Sequence, residues 1–134
     1  MKIKLLLAGI VLCGSFARAQ LSITVLPVRA EGNKAVVRLL FQNDLTNTVE
    51  SARASVYLLN GQSVVGQGTR WVIGGAKDKP SLTPGATNSF FFVISSDKPF
   101  PRTNLTAKVS INRLVLEGGK LGDAVKDVSV SGGK

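Results

Sequence analysis

The sequence contains no histidine, and its single cysteine, Cys13, lies close to the amino terminus. Without histidine the commonest general base and metal ligand is missing, and nucleophile pairs of the Ser-His or Cys-His kind cannot be built. Tryptophan and tyrosine occur once each, as Trp71 and Tyr57. Acidic residues are scarce, 8 against 17 lysines and arginines, and no closely spaced Asp/Asn series offers the oxygen ligands of a calcium loop. Long apolar runs are absent too. The uncharged stretch over residues 5–17 falls short of the ~20 residues that span a bilayer, and no later run approaches it. These absences point away from an enzyme, a metal protein and a membrane-spanning mature chain, and no cofactor is expected.

What is present begins with a leader. Met1, Lys2, Ile3 and Lys4 form a basic start, an apolar run follows from Leu5 to Leu12, and Ala17-Arg18-Ala19 supplies a small-x-small cleavage site before Gln20. This is the pattern of a bacterial secretory signal peptide over residues 1–19. A lipid anchor on Cys13 is disfavoured, because bulky Leu12 precedes it where processing needs a small residue. Cleavage after Ala19 would leave 115 of the 134 residues, 20–134, as one domain with no cysteine. A chain of that length hides roughly two thirds of its unfolded surface on folding, which suffices without disulfides. The expected location is periplasmic or extracellular.

Lys2, Lys4 and Arg18 would leave with the leader, so the mature chain carries 14 basic and 8 acidic residues, a net charge of +6. The basic positions are dispersed from Arg29 to Lys134 with no run of three. Nucleic-acid surfaces cluster their cations, so the charge is read as solubility, or as attraction to anionic polymers of the cell envelope.

Apolar residues recur with period two, and no window of eleven or more sustains a helical spacing. Seven strands are predicted. The first, 21–29, places Leu21, Ile23 and Val25 on one face until Pro27 interrupts it, as suits an edge or a bulge; Glu31-Gly32-Asn33-Lys34 then turns the chain. The second, 35–42, alternates Val37, Leu39 and Phe41 inward with Val36, Arg38 and Gln42 outward. The third, 51–59, buries Ala52, Ala54, Val56 and Leu58 and exposes Arg53, Ser55 and Tyr57. Asn60-Gly61 marks a tight hairpin into the fourth, 63–73, because a type I′ turn needs positive φ at both central residues. Gly66 and Gly68 in that strand imply a close-passing backbone, and Trp71 beyond them reads as a core residue.

A loop over residues 74–85 ends in Thr83-Pro84-Gly85, a turn with proline second. The fifth strand, 87–94, holds Phe90, Phe91 and Phe92 in succession, so both faces should meet apolar partners and the strand should be central. The sixth, 103–116, changes phase from Leu105, Ala107, Val109 and Ile111 to Leu114 and Leu116, which requires a bulge at Asn112 or Arg113. The seventh, 124–131, uses Val128 and Val130. Seven short strands with turn signals about every ten residues imply an all-β, seven-stranded antiparallel β-sandwich.

Val56-Tyr57-Leu58-Leu59-Asn60, followed by Gly61 and Val64-Val65-Gly66, and then Leu82-Thr83-Pro84-Gly85 ahead of Phe90, resemble the turns and strands of the FxLYD-type bacterial extracytoplasmic domain. That resemblance implies an immunoglobulin-like, fibronectin-like sandwich. It implies no shared catalytic residue.

The carboxylates Glu31, Asp44, Glu50, Asp78, Asp97, Glu117 and Asp123 fall in or beside predicted loops, where solvation keeps them ordinary acids, and Asp127 lies in the last strand. Asp44 and Asp97 are the pair that folding would have to bring together for hydrolytic chemistry. Asn104-Leu105-Thr106 matches a glycosylation acceptor, which has meaning only in a eukaryotic secretory path. Among aromatics, Phe100 stands out between Pro99 and Pro101 and is flanked by Lys98 and Arg102. It is either a plug sealing one end of the sandwich or an exposed anchor ringed by positive charge. Lys98, Phe100, Arg102 and Tyr57 are therefore the candidate interaction residues. The function expected is that of an exported, non-enzymatic protein-interaction, adaptor or structural module of the bacterial envelope, with binding of a carbohydrate or anionic polymer at the basic loop around Phe100 as the alternative.

Overall fold

The computed structural model describes residues 19–75 and 79–132. Residues 1–18, which take in Cys13 and all but the last position of the expected leader 1–19, and Lys77 and Asp78 lie outside the described residues. Nine strands follow in chain order: β1 (Leu21–Val25), β2 (Arg29–Glu31), β3 (Lys34–Asn43), β4 (Val49–Asn60), β5 (Ser63–Ile73), β6 (Thr87–Ser95), β7 (Leu105–Leu116), β8 (Lys120–Leu121) and β9 (Val128–Gly132). They form two sheets. The first runs β9-β1-β3-β6, with β2 beside the start of β3, and the second runs β5-β4-β7-β8.

Alternation dictates which side chains meet between the sheets, since successive residues of a strand point to opposite faces. Ala35, Val37, Leu39 and Phe41 of β3 face Ala52, Ala54, Val56 and Leu58 of β4 across one core. Leu21, Ile23, Val25, Phe92, Ile94, Ala107, Val109 and Ile111 complete it. Most of this inward set is what period-two reading of the sequence expects.

Nine strands replace seven for identifiable reasons. Leu21 pairs with Asn43 and Val25 with Leu39, but Arg29 pairs with Val36. Leu26, Pro27 and Val28 thus oppose only Arg38 and Val37, a bulge at the proline that splits the expected first strand. At the other end, Val125 N and Lys126 N donate to Asp123 Oδ1 at 2.8 and 2.9 Å, and Asp123 N donates to Asp127 Oδ2 at 2.8 Å. This turn keeps residues 124–127 out of the ladder, so the last strand begins at Val128. The chain has meanwhile crossed from the second sheet, where β8 pairs with β7, to the first, where β9 runs parallel to β1. That parallel pair corrects the expectation of a wholly antiparallel sandwich: a strand that changes sheets returns in the same direction as β1.

Local geometry agrees with several turn and bulge readings. Arg53 pairs with Arg113 and Ala54 with Ile111, leaving Asn112 as the extra residue where the phase of β7 changes. Ala86 N donates to Thr83 O at 3.0 Å with Gly85 at φ 81°, a type II turn with proline second. The β4–β5 hairpin is present, but Asn60 pairs with Ser63, so its central residues are Gly61 and Gln62, with positive φ at Gly61 alone. That is the II′ arrangement, not I′.

Three placements differ from expectation. Strand β6 is not central. It pairs with β3 and lies at the margin of its sheet, and the outward half of its phenylalanine run meets solvent. Trp71 is half-buried outside the core, opposite Arg53 and against Gly75. Gly66 and Gly68 are approached by side chains rather than backbone: a Cβ on Gly66 would lie 3.0 Å from Ile94 Cγ2 and 3.2 Å from Leu58 Cδ1.

Candidate functional site

The outer face of the first sheet carries an unusual residue set, and register explains how it assembles. Directly opposed residues of an antiparallel pair share a face at about 5 Å. Val36 opposes Val93, Arg38 opposes Phe91, Leu40 opposes Ser89 and Gln42 opposes Thr87. Arg29 joins the first of these rows from β2, and Thr24 and Ser22 join the last two from β1. Inward neighbours such as Val37, Leu39 and Phe92 are buried, so these residues have only solvent to face.

The result is an apolar strip in open water. Phe91 is 55% exposed, Val93 49% and Leu40 36%. The Arg38 guanidinium carbon lies 5.4 Å from the centroid of the Phe91 ring, a cation–π contact. Two adjoining hollows of about 700 and 320 Å3 share Arg29, Val36 and Phe91; Lys34, Arg102 and Glu31 line the first and Arg38 the second. Four cations thus surround Phe91 with one carboxylate among them. Toward the opposite end a third hollow of about 450 Å3 is lined mainly by Ser22, Thr24, Gln42, Thr87, Asn88 and Ser89, with Arg38 and Leu40 at its inner edge. Chemically, the face can seat an apolar group on Phe91 and hold anionic groups beside it.

The four residues singled out from the sequence do not gather here. Phe100 is 6% exposed. Its backbone N–H donates to Gly32 O at 2.9 Å, and its ring approaches Gly66, so it is the plug at one end of the sandwich and not an exposed anchor. Two flanking prolines fix the loop that delivers it; its neighbours Lys98 and Arg102 remain exposed. Only Arg102 of the four lines the Phe91 hollows. Tyr57 is half-buried on the outside of the second sheet, between Gln67 and Lys108. On that same face Ser55, expected outside, is 3% exposed, because its hydroxyl lies 2.8 Å from both Thr69 Oγ1 and Asn112 Oδ1.

Asp44 and Asp97 stay apart. Asp44 follows the end of β3, while Asp97 follows Ser95, which pairs with Lys34 at the start of β3. Nine residue steps at about 3.3 Å put roughly 30 Å between those ends, far beyond the reach of a shared cleft. Glu50 Oε2 accepts from Gly118 N and Glu117 Oε1 from Thr48 N, which commits both to loop closure. Among the described residues no three acids form a cluster able to hold a metal ion.

Phe91 was missed because three consecutive phenylalanines signal burial on both faces, and only pairing partners reveal a margin. No protein-family model matches this chain, and no curated protein matches it either.

Proposed function

We propose that this protein is an exported, non-enzymatic β-sandwich of the bacterial envelope that works by binding another protein, with the outer face of the first sheet as its working surface. The observation that carries this reading is the exposed strip of Phe91, Val93 and Leu40, set among Arg29, Lys34, Arg38 and Arg102. Contiguous apolar surface is rarely left in water without a partner, and arginine and aromatic residues are the side chains that dominate protein interfaces.

An immunoglobulin-like, FxLYD-type architecture belongs to the same proposal. In its support, the first sheet unites the first, second and fifth predicted strands and the second sheet pairs the third with the sixth, as in an immunoglobulin-like sandwich, whereas the fourth strand lies beside the third and the seventh joins the first sheet, which departs from that pattern. Export rests on the leader sequence. Amino-terminal sequencing of the protein recovered from cells should begin at Gln20, and a chain that begins at Met1 and stays in the cytoplasm would refute it.

Binding is tested by immobilising the protein, Phe91→Ser and Arg38→Ser and passing envelope extract over each. A protein retained by the parent and lost from both variants supports the reading. Equal retention on all three refutes it. The four cations favour one alternative, an anionic polysaccharide at the same face. It predicts retention of purified cell-wall polymer that falls steeply as salt screens the charges.

A further inference from the structure

Sheet margins are a hazard that proteins blunt with proline, charge, bulges or short length. Three margins of this sandwich are blunted. Strand β5 skips Val65 and Val72 in its pairing and carries Gly66, Gly68 and Arg70. The outer side of β7 holds Lys108, Arg113 and the Asn112 bulge, and β9 is only five residues long. Strand β6 has none of these devices among its own residues, and the charge beside it is Lys79 of the preceding loop, over the Phe90 ring. Its nine residues, Thr87–Ser95, contain no proline, glycine or charge and keep an unbroken register with β3; among the described residues they pair with no other strand.

We propose that β6 is a docking edge for an extended acidic segment of a partner protein, which adds to the first sheet as a further strand. This deepens the reading of the same face as a binding surface and rests on it. Main-chain hydrogen bonds along such an edge supply affinity, and alternate side chains supply selectivity. Strands lie about 4.8 Å apart. Arg38 belongs to β3, yet its guanidinium already lies over Phe91, a strand's width toward the margin. A carboxylate on the added strand, opposite Phe91 and pointing outward, comes within its reach. Arg29 and Arg102 line hollows that contain Phe91, so acidic residues two positions along find cations as well.

The inward positions of the added strand continue the apolar row of Phe90, Phe92 and Ile94, with Lys79 Nζ 5.4 Å from the Phe90 ring centroid as the one cation recorded against that row. The segment that fits is therefore apolar inward and acidic outward. A second copy of this chain is the weaker occupant, because β6 brings no carboxylate and pairing two copies would place both sets of cations on one continuous face.

The test is amide hydrogen exchange by NMR, together with Phe91 ring and Arg38 guanidinium shifts, during titration with a peptide of alternating valine and glutamate as long as β6. Alternate β6 amides should exchange at least tenfold more slowly when the peptide is bound. A valine–lysine peptide should bind at least tenfold more weakly, and a proline at the centre of the valine–glutamate peptide should abolish protection. Arg38→Glu should reverse the preference between the two peptides. Shifts at Phe91 and Arg38 without β6 protection would overturn strand addition and leave the binding face standing; no change in either would overturn both. Equal binding of the lysine peptide would remove the charge argument. Protection of β6 that grows with protein concentration and without peptide would assign the edge to a second copy instead.

Discussion

Replacing Asn43 should be among the most damaging single substitutions of a polar residue in this protein. Asn43 is fully buried at the end of β3, where the 43–49 and 82–86 segments meet. Its Nδ2 donates to Leu82 O at 2.8 Å and to Asn47 O at 3.0 Å, and its Oδ1 accepts from Leu45 N at 2.9 Å. Its backbone also ties in, with N donating to Ala86 O and O accepting from Gly85 N. Asn43→Ala removes three hydrogen bonds, each contributing about 0.5–1.5 kcal/mol. Leu82 O keeps Val49 N as a second donor, so the unsatisfied groups are Leu45 N and Asn47 O, both on half-buried residues that water can partly reach.

The expected loss is about 2–3 kcal/mol, or roughly 10 °C in Tm for a domain of this size. Asn43→Asp should be worse, because it keeps the acceptor for Leu45 N but turns a buried carboxylate oxygen toward two carbonyls. Urea denaturation followed by circular dichroism measures both, with the dependence on urea unchanged. A loss under about 0.5 kcal/mol for Asn43→Ala, or Asn43→Asp more stable than Asn43→Ala, would refute the placement of the amide.

Three further outcomes follow from packing. Phe100→Ala should cost about 3–5 kcal/mol, since it empties the end of the core beside Gly66; a near-neutral result in the same denaturation assay would return Phe100 to the surface. Gly74→Ala should cost more than about 2 kcal/mol, because φ is 61° and the new Cβ would collide with the Glu50 carbonyl oxygen; a Tm within 2 °C of the parent, about half a kcal/mol, would contradict that turn. Phe91→Ser should change stability by less than about 1 kcal/mol, as befits a side chain more than half exposed, while lowering retention of the partner; unaltered retention would separate Phe91 from binding.

Period-two alternation alone identified most of the inward set, from Leu21, Ile23 and Val25 through Val37, Leu39 and Phe41 to Leu114 and Leu116, because a strand's two faces are set by residue parity. Pro27 and the change of phase near Asn112 located their bulges for an equally local reason: one lacks an N–H to donate, and the other leaves apolar residues on the wrong face without an inserted residue. What parity cannot specify is which strands lie side by side. The marginal position of β6, the outward display of Phe91 over Arg38 and the crossing of the last strand to run parallel with β1 all depend on pairing between residues dozens of positions apart. The same limit applies to single residues. Phe100 became a plug, Trp71 left the core and Ser55 entered a buried hydrogen-bonded group because their surroundings come from distant strands. Periodicity is a property of one strand, whereas the exposed face around Phe91 is a property of neighbours, which only the tertiary fold decides.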